Sequence, residues 1–231
     1  MDGLHAPGSL VFLIVLVLLL AFMSGGATLS SGNLGNLGRQ IALNAPVALA
    51  QMVALLVGGM DLSVGAVLAM SSALAVGLQP FGLWPAVLGA VLFGTGIGAV
   101  NGLLVTRAHV NPFIVTLGTM NLVTGALLTY TNQQPIAGQI PAFTELGGGW
   151  VGVIPTPVVI MAVISVLLHL LLAYTRVGRN LYAVGGNAEA AFLSGISVGS
   201  HNFLAYVVAG TLSGVAGVLL ASSLNSGSIQ V

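Results

Sequence analysis

Apolar residues fill the chain in long runs, broken by short clusters of glycine, proline, asparagine and threonine. A helix needs about 20 mostly apolar residues to cross a bilayer core, where every backbone N–H and C=O must be paired within the protein. Seven stretches have this character: Leu10 to Leu29, Ile41 to Val57, Leu62 to Leu78, Trp84 to Val105, Pro112 to Tyr130, Pro155 to Tyr174 and Phe203 to Leu220. The pattern therefore predicts an all-α, polytopic transmembrane helical bundle. The second and third stretches are short, and only Gly58-Gly59-Met60-Asp61 separates them. They are expected to meet or break inside the protein instead of emerging into water.

Small residues recur every fourth position, at Gly94, Gly98 and Gly102 in the fourth stretch and at Gly210 and Gly214 in the seventh. That spacing lets helix backbones approach closely where lipid removes the hydrophobic drive for association. The N-terminal run Leu10 to Ala21 has the length of a signal-peptide core, but no Lys or Arg precedes it. It reads as a retained first helix, since a cleaved signal carries a basic leading segment.

Composition sharpens the picture. Hydrophobic residues make up 57% of the chain and charged residues 3%, against about a quarter charged in a soluble domain. The charges are Arg39, Arg107, Arg176 and Arg179 against Asp2, Asp61, Glu145 and Glu189. Neither nucleic acid nor an anionic partner is selected by that balance. Cysteine is absent, which removes thiol catalysis and disulfides, and no lysine is present for a phosphate-cradling GxxxxGK[ST] loop. Any ATP must be handled by another chain. Neither a Ser-His-Asp arrangement nor paired carboxylates nor a cofactor fingerprint points to an enzyme, and no cofactor or metal is expected on this chain.

Arginine also orients the bundle, because Arg-rich segments stay cytoplasmic. With residues 175–202 inside, Arg107, Arg176 and Arg179 lie in the cytoplasm and only Arg39 outside. Trp84, Tyr130 and Trp150 then fall at the outer boundary and Tyr174 at the inner one, where amphipathic rings settle. The N-terminus is expected to be cytoplasmic.

Asp61 is the one acid within reach of the bilayer, and an intramembrane acid is a functional candidate by default. In Gly-Met-Asp-Leu-Ser-Val-Gly, Asp61 and Ser63 stand where a helix would begin, so either could cap its free N–H groups; a proton or substrate role is the alternative. Together with Gly59 and Asn121 they form the candidate helix break or pathway. Asn44, Gln51, Thr116, Thr119 and Thr124 are further uncharged polar residues in the helices. Such groups suit a path for a neutral polyhydroxy solute, or simply join helices to one another. His169 reads as a packed histidine within the sixth stretch, and Asn111-Pro112 as a helix cap followed by a first-turn proline.

The connector 175–202 is more than a polar loop. Asn187 can cap a short helix containing Ala188, Glu189, Ala190, Ala191, Phe192 and Leu193, which Gly195 would end. Phe192, Leu193 and Ile196 form an apolar edge beside Glu189 that suits a partner's groove. Lying flat on lipid is the other use for such a helix, but that usually comes with a basic face.

These features resemble the permease subunits of bacterial ribose-type (monosaccharide) ABC importers, within the wider group that includes branched-chain amino acid permeases. The matching stretches are Gly58-Gly-Met-Asp-Leu-Ser-Val-Gly65, Asn101-Gly-Leu-Leu-Val, Asn111-Pro-Phe-Ile-Val-Thr-Leu-Gly-Thr119, Gly178 through Val198, and Tyr206 to Leu220. They occur in family order and span most of the chain. The resemblance implies one permease domain over 1–231, in the bacterial cytoplasmic membrane and shortened at its C-terminus relative to a family fold with more helices. It implies a second permease copy, cytoplasmic ABC ATPases that use the ATP, and a periplasmic or extracellular substrate-binding protein. The segment containing Gly185, Gly186, Asn187, Glu189, Phe192, Leu193, Gly195 and Ile196 would dock on the ATPase as the coupling element. Thr124 before Gly125 replaces a basic residue often found there in the family. A stand-alone secondary transporter or channel, or a non-transporting fragment, are the alternatives.

Overall fold

The computed structural model describes residues 5–227. Helices α1 (His5–Met23), α2 (Ser31–Leu56), α3 (Val64–Gly77), α4 (Leu83–Thr106) and α5 (Pro112–Thr131) precede β1 (Ile136–Ala137), α6 (Pro141–Gly148), β2 (Trp150–Val151) and β3 (Ile154–Pro155). Then follow α7 (Thr156–Tyr174), α8 (Arg176–Gly186), α9 (Ala188–Leu193), α10 (Val198–Leu224) and β4 (Ser226–Gly227). The seven apolar stretches correspond to α1, α2, α3, α4, α5, α7 and α10. Five of these helices, α2, α4, α5, α7 and α10, are long and apolar enough to cross a membrane.

Three boundaries differ from those the apolar pattern predicts. Helix α1 stops at Met23, short of Leu29, because Gly25 and Gly26 turn the chain with φ of 60° and 88°. Helix α2 begins ten residues earlier than Ile41, at a start capped by Ser30, whose hydroxyl accepts from Asn33 N at 3.3 Å. Its glycine-rich first turns read as a loop, yet the glycines serve packing. A methyl on Gly35 would strike the Trp150 ring, 2.7 Å from Cη2. Helix α8 lies inside what the sequence presents as a connector.

Helix α3 has 14 residues, about 21 Å of rise, and so falls short of a hydrocarbon core of about 30 Å. It need not meet lipid. Val67, Leu68, Ala69, Met70 and Ala73 are all buried, and the helix packs among α4, α5 and α10.

At the centre is α10, packed on α2, α3, α4 and α6. Its closest neighbour is α4, and the glycines explain why. Cβ atoms built on Gly94 and Gly98 would meet the backbone of α10 at Gly210 and Tyr206, and one built on Gly210 would meet Gly94 and Gly98 in return. The two backbones are in direct contact, as the four-residue spacing predicts.

The elements sort to two ends. At one, Arg39 Nη2 donates to Gly148 O at 3.0 Å and its guanidinium stands 5.5 Å over the Trp150 ring; Gln79 Oε1 accepts from Gln139 N and Ile140 N there. The β1–β4 and β2–β3 ribbons close this end. At the other, Arg107 faces Ser197 and Ser200 across a cavity of about 480 Å³, and α8 and α9 lie alongside. Arg39 and Trp150 thus share one end while Arg107, Arg176 and Arg179 share the opposite one.

Candidate functional site

Two arrangements stand out, a buried polar joint at the α2–α3 break and an exposed edge on α9. The break starts where α2 ends at Leu56 and Gly58 takes a positive φ of 73°. Gly59 then passes beneath Tyr206 of α10, where an added Cβ would lie 2.5 Å from Oη. A side chain at residue 59 would push the two apart.

Asp61 follows, only 3% exposed. Its Oδ1 accepts from Ser63 N at 2.9 Å, taking up a free amide at the start of α3, and from Ser63 Oγ at 2.6 Å. The carboxylate therefore sits against the positive end of the α3 dipole. Asn101 Nδ2, on α4, donates to Ser63 Oγ at 2.9 Å, and Thr119 Oγ1, on α5, donates to Asn101 Oδ1 at 2.6 Å. Each donor points down the chain Thr119, Asn101, Ser63, Asp61. Aligned dipoles ending on a carboxylate reinforce one another in a low-dielectric interior. Thr116 of α5, whose hydroxyl donates to Pro112 O at 2.9 Å within its own helix, also comes within 3.3 Å of Met60 O.

This joint fastens α4 and α5 to the break with uncharged groups and one acid. Among the described residues, no three of His, Asp and Glu gather in one place. The geometry supports a fixed hinge point held by hydrogen bonds. Asp61 bonds the N-cap residue Ser63 and no amide of the first turn of α3, so neither Asp61 nor Ser63 caps that turn, and Ser63 spends its hydroxyl on Asp61 and Asn101.

Of the four candidate break or pathway residues, the structure brings Gly59, Asp61 and Ser63 together. Asn121 lies elsewhere, on the exposed face of α5, with its amide donating to Leu117 O at 2.9 Å. Asn44 and Thr124 are likewise exposed and bonded to their own helices. Asn101 and Tyr206 are joint residues that single-residue reasoning passes over. Their signal lay only in the Asn101 motif and the Tyr206 stretch of the family pattern.

The second arrangement begins at the α7–α8 corner. Thr175 caps α8, accepting from Gly178 N at 3.1 Å, and a methyl at Gly178 would run into the carbonyls that end α7. Leu181 and Val184 are buried, with Leu181 in the cluster that includes Val53, Leu168, Leu172 and Ala205. Gly185 lies directly on the carbonyl of Leu56. Helix α8 is thus anchored to α2, α7 and α10.

Helix α9 runs from Ala188 to Leu193, capped by Asn187, whose Oδ1 accepts from Ala190 N at 2.9 Å. It ends where Gly195 adopts φ 82°, with Gly195 N bonded to Phe192 O and Ile196 N to Ala191 O. Ala191 is buried, Ile196 half-buried, and Phe192 and Leu193 are 69% and 79% exposed. Gly186 and Glu189 flank this edge, both exposed. A rigid platform presents two bare apolar side chains.

The chain is similar to the ribose import permease protein of Bacillus subtilis (strain 168), with 40% identity over 97% of this chain and 71% of the relative. It shares 37% identity with the ribose import permease protein of Escherichia coli (strain K12), over 94% of this chain and 70% of that one. The D-allose transport system permease protein of the same strain is 33% identical over 95% and 68%. No solved structure matches. The branched-chain amino acid transport system / permease component family matches residues 33–231, and with that match and relatives at this identity over most of both chains, the chain belongs to that family of permeases.

Proposed function

We propose that this permease moves a monosaccharide or similar small polar solute inward across the bacterial cytoplasmic membrane, by alternating access driven by a separate ABC ATPase. A substrate-binding protein would deliver the solute, and a second permease copy would complete the translocation path. The relatives' names support the solute class, since they are ribose and allose permeases. The uncharged helix surface supports it too. A neutral polyhydroxy solute needs hydrogen-bonding groups without fixed charge.

One observation carries the coupling part of this reading. Phe192 and Leu193 stand exposed on a capped helix whose platform, α8, is packed into the bundle. Exposed apolar anchors on a rigid base suit a partner's groove. In this reading residues 175–202 face the cytoplasm, with Arg107, Arg176 and Arg179 at that end and Arg39 at the outer one, in accord with the bias of arginine toward the inside. Residues 185–197 then form the ATPase-docking element.

The test is Phe192→Asp in the permease co-expressed with its ATPase. The variant is expected to insert into the membrane and fail to co-purify with the ATPase. Co-purification at the normal ratio would overturn the docking assignment.

A further inference from the structure

We infer that the break between α2 and α3 receives the movement of the α8–α9 segment, and that Tyr206 is the positioning residue that transmits it. This rests on the docking reading above and adds where in the bundle docking is felt. Two contacts reach the break, one on each side of Gly58 along the chain. On one, the Gly185 backbone of α8 touches the Leu56 carbonyl, and an added Cβ would also lie 3.6 Å from Val57 Cα. No side chain separates the coupling segment from the last turn of α2.

On the other side, α9 passes through Ser194–Ser197 directly into α10, so a displaced α9 carries α10 with it. Eight residues into α10, Tyr206 lays its ring over Gly59 with Cζ 3.2 Å from where a Cβ would be. Helix α4 touches α10 at the same level, Gly98 facing the Tyr206 carbonyl. The Tyr206 ring is therefore backed by the α4–α10 pair and bears on the break.

The Tyr206 hydroxyl is the incompletely satisfied part of this contact. The residue is 1% exposed, yet Oη makes no aligned hydrogen bond, although it abuts the Met60 backbone and lies within electrostatic reach of Asp61. A buried hydroxyl without a partner is unfavourable. It disfavours the present arrangement and favours one in which α10 has shifted and Oη donates to the break, with the Asp61 carboxylate the strongest acceptor at hand. Such an element, with two arrangements that a partner can bias, is what coupling between distant sites requires.

Tyr206→Phe removes only the hydroxyl and keeps the ring over Gly59. The assembled permease–ATPase complex, reconstituted in liposomes with binding protein and D-ribose, is the system to measure. Expected are unchanged assembly, an equal or higher Tm, and uptake reduced roughly tenfold, about the worth of a buried hydroxyl shifted onto one state of a two-state exchange. ATP hydrolysis should fall less, so more ATP is consumed per solute. Gly185→Ala, which pushes α8 off Leu56, should uncouple in the same sense while α9 still binds ATPase. Wild-type uptake and stoichiometry in Tyr206→Phe would overturn the inference. So would loss of folding, because the hydroxyl would then be a structural partner in this conformation. Failure of the docking reading is separate, and shows as normal co-purification of Phe192→Asp.

Discussion

The side-chain amide of Asn101 reaches across from α4 and donates to Ser63 Oγ at 2.9 Å, making a single asparagine the bridge between two helices and the α2–α3 break. The same residue accepts from Thr119 at 2.6 Å and is completely buried. Asn101→Leu removes the acceptor of the buried Thr119 hydroxyl and the amide donor to Ser63 Oγ, which keeps only its own bond to Asp61. The expected loss is about 1–3 kcal/mol, the usual cost of orphaning a buried polar group, read as a lower Tm of the purified permease in detergent. Asn101→Asp should be worse, because it puts a second carboxylate at the joint, facing Ser63 Oγ, whose proton already goes to Asp61. A Tm within error of wild type for both variants would dissolve the joint as a structural element.

Close approach of α4 and α10 predicts a sharp contrast within one helix. Gly98→Val places a side chain against Tyr206 O and Gly210 Cα, 3.1 Å from the added Cβ, and overpacking of this kind costs about 1–3 kcal/mol. Gly96, two residues away, has nothing within 4 Å of a built Cβ and is exposed. Gly96→Ala should be neutral or stabilise by up to about 1 kcal/mol through its better helix propensity. Expression and thermal melting of the two variants check both signs. Equal behaviour would mean that the four-residue spacing reflects composition alone.

How much of this was legible follows the reach of each signal. The apolar helices were legible because length and hydropathy are local properties, and α4, α5 and α7 lie within a residue of their expected limits at each end. The start of α2 was not, because Gly32, Gly35 and Gly38 signal a loop until Trp150 and Val158 are seen against Gly35 and Gly38. Helix α8 was missed for a similar reason, its Gly178 and Gly185 being contacts with other helices. Asp61 announced itself as a rare charge, and Asn187 with Gly195 framed α9 from sequence alone. Asn101 and Tyr206 gave no such local sign, since their importance comes from partners 38 residues away and 147 residues away along the chain. Asn121 illustrates the converse. Its polarity drew notice, but its helical phase turns it to the exposed side of α5.

The cap on α9 gives a local prediction. Asn187→Ala removes the acceptor for Ala190 N, and N-cap losses run at about 0.5–2 kcal/mol. Six residues of helix have little stability of their own. Hydrogen exchange across residues 187–196 should therefore accelerate while the global Tm stays put, and Asn187→Asp, which restores an acceptor, should recover protection. Unchanged exchange in Asn187→Ala would show that burial of Ala191, not the cap, holds the helix.

Ser222 poses the strictest test of how the elements at the Arg39–Trp150 end are held. From α10 its hydroxyl donates to Phe143 O at 2.5 Å and accepts from Gly147 N at 2.6 Å, so one side chain serves two backbone groups of α6. Helix α6 has eight residues, three of its last four positions being Leu146, Gly147 and Gly148, and a helix of that length and composition is marginal alone. Water cannot stand in for the hydroxyl, because Gly147 packs so closely that an added Cβ would lie 2.8 Å from Leu219 O. Ser222→Ala thus leaves a buried donor and a buried acceptor unpaired, an expected loss of about 1–3 kcal/mol for each group before relaxation. The loss should concentrate in α6, seen as faster proteolysis between Ile140 and Val151 and a lower Tm. Thr144→Ala provides the contrast: its hydroxyl bonds only to Pro141 O, within the same helix, and its removal should change neither readout. If Ser222→Ala is as silent as Thr144→Ala, α6 is held by the buried Phe143 ring and the hook is incidental; if it alone opens the segment, a single hydroxyl on the central helix sets the position of this end of the permease.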